Sequence, residues 1–326
     1  MKQFSPLQSR LLAFLADGQC HSGSDLGNIL GVSRTAIWKN ISQLIDAGLA
    51  INRIAQQGYQ LAKPFIALDE SLLRNHLNQT NFDRTLDFHL FSEIDSTNRF
   101  LKDLPLSQHI DVCCAEKQTL GRGRFGRQWI SPFGENIYFS SRWQFDCCLS
   151  QLSGLSLVVS LATLDCLRKN NIAHDILIKW PNDLLWHHKK LCGVLIEVIA
   201  EPNSSAQVII GIGMNINSPT HMQELADKPA CSLFEITGKQ FDRNQLIADL
   251  LISLNNYLQR FLQNGFSAFM EEWKKTDYLA GNLITLSQPT GKISGVACGI
   301  TSSGQLCIED HNGKLFELSS GDTTLA

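Results

Sequence analysis

Gly121-Arg122-Gly123-Arg124-Phe125-Gly126-Arg127-Gln128-Trp129 puts three glycines and three arginines into seven residues and closes on a tryptophan. Glycine lets the backbone approach a ligand closely. Arginine offers fixed, planar donors suited to phosphate or carboxylate. Trp129 offers a flat face on which a base can stack. The run describes a loop that folds over a small anionic ligand carrying a nucleotide. In isolation it also fits a solvated basic loop. Lys179-Trp180-Pro181-Asn182-Asp183 and Lys189-Lys190-Leu191-Cys192-Gly193, further along, favour the ligand loop.

Around that loop the chain alternates strand-like and helix-like runs. Ile176–Lys179, Val194–Val198 and Gln207–Gly211 have the β-branched, apolar content of buried or half-buried strands. Leu155–Lys169 and Leu246–Phe261 have helical length and apolar spacing. The prediction for residues 65–274 is α+β: one sheet covered by helices. Lys189 and Lys190 read equally as the basic tip of a strand-loop-strand. Ser96-Thr97-Asn98 reads as a helix N-cap that can also present its polar groups to a ligand. His187 and His188 carry no zinc-like spacing. Residues 218–238 read as a second long loop, punctuated by Pro219 and Pro229, and such loops are usually functional.

Upstream, residues 1–64 hold net charge +3, against −6 for the remainder of a chain at −3. Leu7, Leu11, Leu12, Phe14 and Leu15 recur at helical spacing. Ser22 or Ser24 can cap a second helix that turns Leu26, Ile29 and Leu30 inward. Gly31-Val32 makes a turn, and Ser33 can cap a third helix with the stripe Ile37, Ile41, Leu44 and Ile45. Arg34, Thr35, Trp38 and Lys39 then fall on its outer face. Ala50–Ile54 and Tyr59–Leu61 flank Gln56-Gln57-Gly58 as a small hairpin. The pattern is a winged helix-turn-helix whose third helix enters a DNA major groove by its N-terminal end. Downstream, residues 275–326 alternate short β-rich runs with glycines and predict a small SH3-like β-barrel.

No run of 18 apolar residues exists, and the start lacks a signal-peptide pattern, so no membrane contact and a cytoplasmic location are expected. The ten cysteines include two adjacent pairs and no CxxC spacing, which fits reduced structural thiols.

Asp95-Ser96-Thr97-Asn98, Gln118, the 121–129 loop, Ser131-Pro132-Phe133-Gly134, the 179–183 and 189–193 runs and Gly211-Ile212-Gly213-Met214-Asn215 occur in that order. With them the chain resembles, almost end to end, the bacterial biotin protein ligases, in the class that doubles as the biotin operon repressor. The resemblance implies a winged helix-turn-helix, the mixed-sheet catalytic fold shared by biotin and lipoate ligases, and an SH3-like cap. It implies that ATP and biotin form biotinyl-5'-AMP, with Mg2+ accompanying the nucleotide. The biotinyl group then passes to a lysine of the biotin carboxyl carrier protein of acetyl-CoA carboxylase. The adenylate would also act as corepressor, favouring a homodimer on biotin operator DNA.

The same resemblance implies roles residue by residue. Ser96, Thr97, Asn98 and Gln118 would bind the ureido head of biotin, closed over by Arg122, Gly123 and Arg124. Gly193 and Gly211 would line the rest of the biotin. Lys190 would hold the biotin carboxylate and the bridging phosphate. Lys179, Arg122, Arg124, Arg127, Trp129, Asn182 and Asn215 would hold ATP and the adenylate. Asp183 would serve Mg2+, directly or through water, or take a proton from the attacking lysine. Ser33, Arg34, Thr35, Trp38 and Lys39 would read DNA. The 218–238 loop resembles the adenine-side loop that orders over the adenylate.

Two departures stand out. Phe125 occupies a position where many relatives have arginine, and the C-terminal residues 321–326 lack the arginine that relatives often carry. Both bear on how tightly adenylate is retained. Two other functions fit parts of the pattern: a lipoate–protein ligase on the same fold, and a non-enzymatic ligand-responsive DNA-binding repressor.

Overall fold

In the computed structural model, residues 1–325 are described except 81, 106, 173–174, 201–204, 220–228 and 290. The N-terminal unit contains α1 (Pro6–Leu15), α2 (Gly23–Leu30), α3 (Arg34–Ala47), β1 (Ile51–Ile54) and β2 (Gly58–Leu61). Serines set each helix start. Ser5 and Gln8 form a reciprocal capping box, Ser22 accepts from the Ser24 and Asp25 amides, and Ser33 accepts from the Ala36 amide. Gly31, at φ 71°, takes the left-handed turn between α2 and α3. Leu11, Leu15, Leu26, Ile37 and Ile41 are fully buried in the core between the helices.

Ile29 departs from expectation and is 56% exposed. Gly27 packs so closely that a Cβ there would lie 2.8 Å from the Val32 carbonyl oxygen. The buried face of α2 is therefore centred on Leu26, Gly27 and Leu30, and Ile29 turns outward.

The central unit is a seven-stranded sheet in the order β3-β4-β5-β9-β8-β7-β6. Its strands are β3 (Leu86–Phe91), β4 (Ile110–Ala115), β5 (Ile137–Phe145), β6 (Ile176–Lys179), β7 (Asp183–Trp186), β8 (Lys189–Ala200) and β9 (Ala206–Met214). β3 and β4 run parallel, and the other pairings are antiparallel. The helices are α4 (Glu70–Gln79), α5 (Thr97–Asp103), α6 (Leu155–Lys169), α7 (Leu233–Thr237), α8 (Arg243–Asn264) and α9 (Met270–Lys274). α6 and α8 pack together in the large core cluster. A smaller cluster, with Ile94, Leu101, Cys113, Ala115 and Ile209, sits under α5. All ten cysteines are free.

The C-terminal unit is an antiparallel sheet in the order β13-β12-β11-β10-β14. Its strands are β10 (Leu283–Gln288), β11 (Gly291–Ile300), β12 (Leu306–Glu309), β13 (Leu315–Leu318) and β14 (Asp322–Leu325), consistent with an SH3-like fold. β14 has no counterpart among the sequence-predicted strands, because Asp322-Thr323-Thr324-Leu325 is too short and polar to show a strand pattern. Its pairing partner, β10, begins some forty residues earlier. The unit docks on the central one: Trp180 Nε1 donates to the Gly304 carbonyl at 3.0 Å, and Thr323 Oγ1 donates to the Trp180 carbonyl at 3.3 Å.

A link of another kind joins the first two units. Phe133 lies only four residues beyond Trp129, yet its ring is part of the winged-helix core and touches Phe4 and Phe65. Glu116 and Arg243 form a buried ion pair at 2.5 Å. Glu116 accepts from the Leu68 amide, and Arg243 donates to the Ile66 carbonyl, which straps the connecting segment to the sheet.

Candidate active site

The site is built on the middle of the sheet. Ser140 on β5 lies opposite Gly211 on β9, which lies opposite Leu195 on β8. Two residues along, Tyr138, Gly213 and Gly193 repeat the row. Residues directly opposite one another, and those two apart on a strand, share a face, so these six form a floor. A Cβ on Gly211 would lie 2.2 Å from Asn98 Oδ1, and one on Gly213 would lie 2.5 Å from Trp129 Cε2. The glycines thus let Asn98 and the Trp129 ring rest directly on the sheet. Gly213 was part of the sequence motif without a role. Above the floor is a cavity of about 270 Å³.

The 121–129 loop closes as a tight hairpin. The Gly123 amide donates to Arg127 at 2.7 Å, and the Trp129 amide to Gly121 at 2.9 Å. Phe125 sits at its tip with φ 56° and is 58% exposed, with the Arg124 guanidinium over its ring. Trp129 Nε1 is buried and, among the described residues, has no hydrogen-bond partner.

One end of the cavity is polar and closed. Ser96, Thr97 and Asn98 are buried at the start of α5. Ser96 stands at the N-cap position but makes no capping hydrogen bond, so the cap reading of its side chain is set aside. The Thr97 amide donates to Gln118 Oε1 at 2.9 Å, and the Thr97 hydroxyl lies 3.1 Å from the same oxygen. The Ser140 hydroxyl lies 2.7 Å from Thr97 Oγ1 and 2.6 Å from Asn98 Oδ1. Ser140 escaped sequence reading, although period-2 alternation from Tyr138 on β5 places it on the floor.

The other end is cationic. Lys190 lies on β8 rather than in an exposed loop, half-buried, with Nζ 2.7 Å from Asp183 Oδ1 and 5.4 Å from the centre of the Trp129 ring. A β-bulge between Leu184 and Leu185 shifts the register just where Lys190 pairs. Arg124 Nη1 donates to Asn182 Oδ1 at 3.3 Å and to the Gly321 carbonyl at 3.5 Å. Burial pulls the Arg124 guanidinium below the usual arginine range, and the nearby Asp183 and Asp322 charges oppose that shift. Asn182 Nδ2 donates to the Val194 carbonyl at 2.6 Å, and Lys179 lines the cavity nearby. Asn215 Nδ2 donates to the Cys231 carbonyl at 3.0 Å, fixing the segment ahead of α7.

Two of the loop arginines make other contacts. Arg122 pairs with Glu197 at 3.2 Å, and Arg127 pairs with Asp322 of β14. Lys189 pairs with Glu235 at 2.5 Å and is turned away from Lys190's partner. The expected 218–238 loop is in part a helix: Ser232 caps α7 by accepting from the Glu235 amide. Residues 220–228 of it lie outside the described residues. Among the described residues no group of three His, Cys, Asp or Glu side chains could hold a metal. On α3, Arg34, Thr35, Trp38 and Lys39 are exposed together, while the Ser33 hydroxyl is engaged as the cap.

A model of the biotin/lipoate A/B protein ligase family matches residues 90–215, and an HTH domain model matches residues 8–60. The bifunctional ligase/repressor BirA of Salmonella typhimurium is 36% identical over 316 residues, covering 97% of this chain and 96% of the relative. Its namesake in Bacillus subtilis is 31% identical over 308 residues, covering 93% of each. The structure of a biotin protein ligase from Aquifex aeolicus in complex with biotin and ATP matches with a TM-score of 0.62 at 30% identity. That match covers 74% of this chain and 98% of the other.

Proposed function

The chain belongs to the bifunctional biotin protein ligase and repressor family, and on that premise we propose that it joins biotin to AMP and passes the biotinyl group to a carrier lysine. The observation that carries this reading is one cavity with opposite chemistries at its two ends. Thr97, Asn98 and Gln118 meet at the closed end, and Lys190, Arg124 and Asn182 at the other. A ureido head needs hydrogen-bonding partners when buried. A carboxylate attacking a polyphosphate needs cations.

Lys190 leaves Asp183 to meet the biotin carboxylate and the bridging phosphate. Arg124 and Lys179 hold the phosphates, and Asn182 and Asn215 orient them. Trp129 offers its outer face to the adenine, and Arg122 and Arg127 hold the loop over the adenylate by pairing with Glu197 and Asp322. Gly123 brings loop backbone near the ureido head, and Gly193 and Gly211 leave room for the biotin body. Asp183 would hold the magnesium that accompanies ATP, directly or through water, and the cation would supply charge neutralisation at the phosphates. Once the adenylate has formed, Asp183 can accept the proton of the attacking lysine amine. The carrier is the biotin carboxyl carrier protein of acetyl-CoA carboxylase.

Residues 1–64 form the DNA-reading unit, 65–274 the catalytic unit and 275–326 the cap. Arg34, Thr35, Trp38 and Lys39 approach operator DNA at the N-terminal end of α3, with Ser33 fixing that end. Biotinyl-5'-AMP favours a homodimer that spans a two-fold operator, which represses biotin synthesis genes in the cytoplasm. A lipoate ligase is disfavoured by the polar closed end, since a dithiolane offers nothing to Thr97, Asn98 and Gln118. A sensor without catalysis is disfavoured by Lys190 and Arg124 at the phosphate end. The deciding experiment incubates the protein with ATP and either biotin or lipoate. Pyrophosphate and acyl-adenylate should appear with biotin alone. Their appearance with lipoate alone, or with neither, overturns the proposal.

A further inference from the structure

Glu197 has none of the ligand-facing roles given above, yet its carboxylate holds two residues that do. It lies on β8 opposite Ile209, on the sheet face that carries Gly193 and Gly211. Asn98 Nδ2 donates to Glu197 Oε2 at 2.8 Å, and Arg122 Nη2 donates to the same oxygen at 3.2 Å. These partners come from α5 and from the 121–129 loop, so three separate segments meet at one charge.

An ionised carboxylate only accepts hydrogen bonds. Beside it the Asn98 amide has one satisfied orientation, with Nδ2 toward Glu197 and Oδ1 away. Oδ1 then faces the Ser140 hydroxyl at 2.6 Å and lies over Gly211. The Ser140 oxygen also lies 2.7 Å from Thr97 Oγ1, which continues the chain. Each hydroxyl has a single proton to give, so once Ser140 donates to Asn98 Oδ1 it accepts from the Thr97 hydroxyl, and Gln118 Oε1 keeps the Thr97 amide at 2.9 Å.

We infer that Glu197 is a positioning residue for adenylate formation. It fixes which groups at the closed end donate and which accept, and through Arg122 it ties that end to the loop that covers the adenylate. The inference rests on the biotin-ligase reading above.

Glu197→Gln is nearly isosteric, but its amide can donate or accept, so it no longer dictates the orientation of Asn98. The variant should raise the KM for biotin about tenfold, as expected for one charged hydrogen bond, and leave the KM for ATP within about twofold. Desthiobiotin, which keeps the ureido head and lacks the thioether, should lose by the same factor as biotin. Adenylate should leave the variant faster in stopped flow. A biotin KM within about twofold of wild type overturns the inference. So does an equal rise for biotin and ATP, the result expected if Glu197 merely supports the fold. Wild-type protein is run alongside: without biotin-dependent pyrophosphate release it is the ligase reading that fails, and the inference falls with it.

Discussion

Lys190 Nζ lies 2.7 Å from Asp183 Oδ1, with both side chains about a quarter exposed. The two sit on neighbouring strands, brought together by the β7–β8 bulge. The pair places a cation at the edge of the cationic end of the cavity without burying it alone. A partly exposed pair of this kind contributes little to stability, about 1 kcal/mol or less. Its partners can therefore separate when a more strongly charged group arrives.

Lys190→Ala should retain the fold and cut biotin-dependent pyrophosphate release at least about tenfold, the effect of one lost charged contact. The measurement is a coupled pyrophosphate assay, with a melting curve as the folding control. Release within about threefold of wild type would show that Lys190 does not serve the first half-reaction.

Arg34→Ala should weaken operator binding and reduce the salt slope by about one charge. Carrier biotinylation should hold, because Arg34 is exposed on α3 within the winged-helix unit. A titration over a range of salt concentrations checks the first outcome, and transfer of biotin to the carrier checks the second.

Arg124→Gly removes the contacts to Asn182 and to the Gly321 carbonyl ahead of β14. Adenylate should escape faster, bystander lysines should become biotinylated, and ligand-induced dimerisation should weaken. Differential affinity for the two states is what drives such a shift. Stopped flow reports release, and sedimentation reports the dimer. Unchanged release with a normal dimer response would show that Arg124 links neither adenylate retention nor dimerisation to the 121–129 loop.

Arg243→Met leaves Glu116 buried without its cation, with the two side chains 2% and 1% exposed in the intact pair. Losing one partner of a buried pair costs about 3–5 kcal/mol. Chemical denaturation should show a loss of this size. Adding Glu116→Gln removes the uncompensated charge and should recover much of it. If the double variant is no more stable than the single one, the loss stems from packing against Phe65, over which the guanidinium lies.

Much of this protein is legible in local sequence because the causes are local. Ser5, Ser22 and Ser33 cap helices within three residues of themselves, and Gly31 supplies its own left-handed turn. The 121–129 run folds into a hairpin through its own backbone. The apolar runs of β9 and α6 announce burial whatever covers them. Even there, spacing turns Ile29 inward while the fold leaves it exposed, since periodicity names an apolar face but not the neighbour that turns it.

Tertiary structure alone decided the rest. Phe133 joins the winged-helix core although it follows the 121–129 loop, because Gly48 leaves room at the end of α3 for its side chain. Asp183 meets Lys190 across a bulge, Arg127 meets Asp322 from the far end of the chain, and Asn98 meets Glu197 ninety-nine residues away. Such pairs depend on sheet order and register, where a one-residue slip moves every side chain to the other face. The sequence by itself determined which residue types could bind a carboxylate, a phosphate and a buried polar head. Only the folded sheet decided that they share one cavity and which carboxylate holds each in place, because hydrogen bonds and ion pairs act over a few ångströms of space irrespective of separation along the chain.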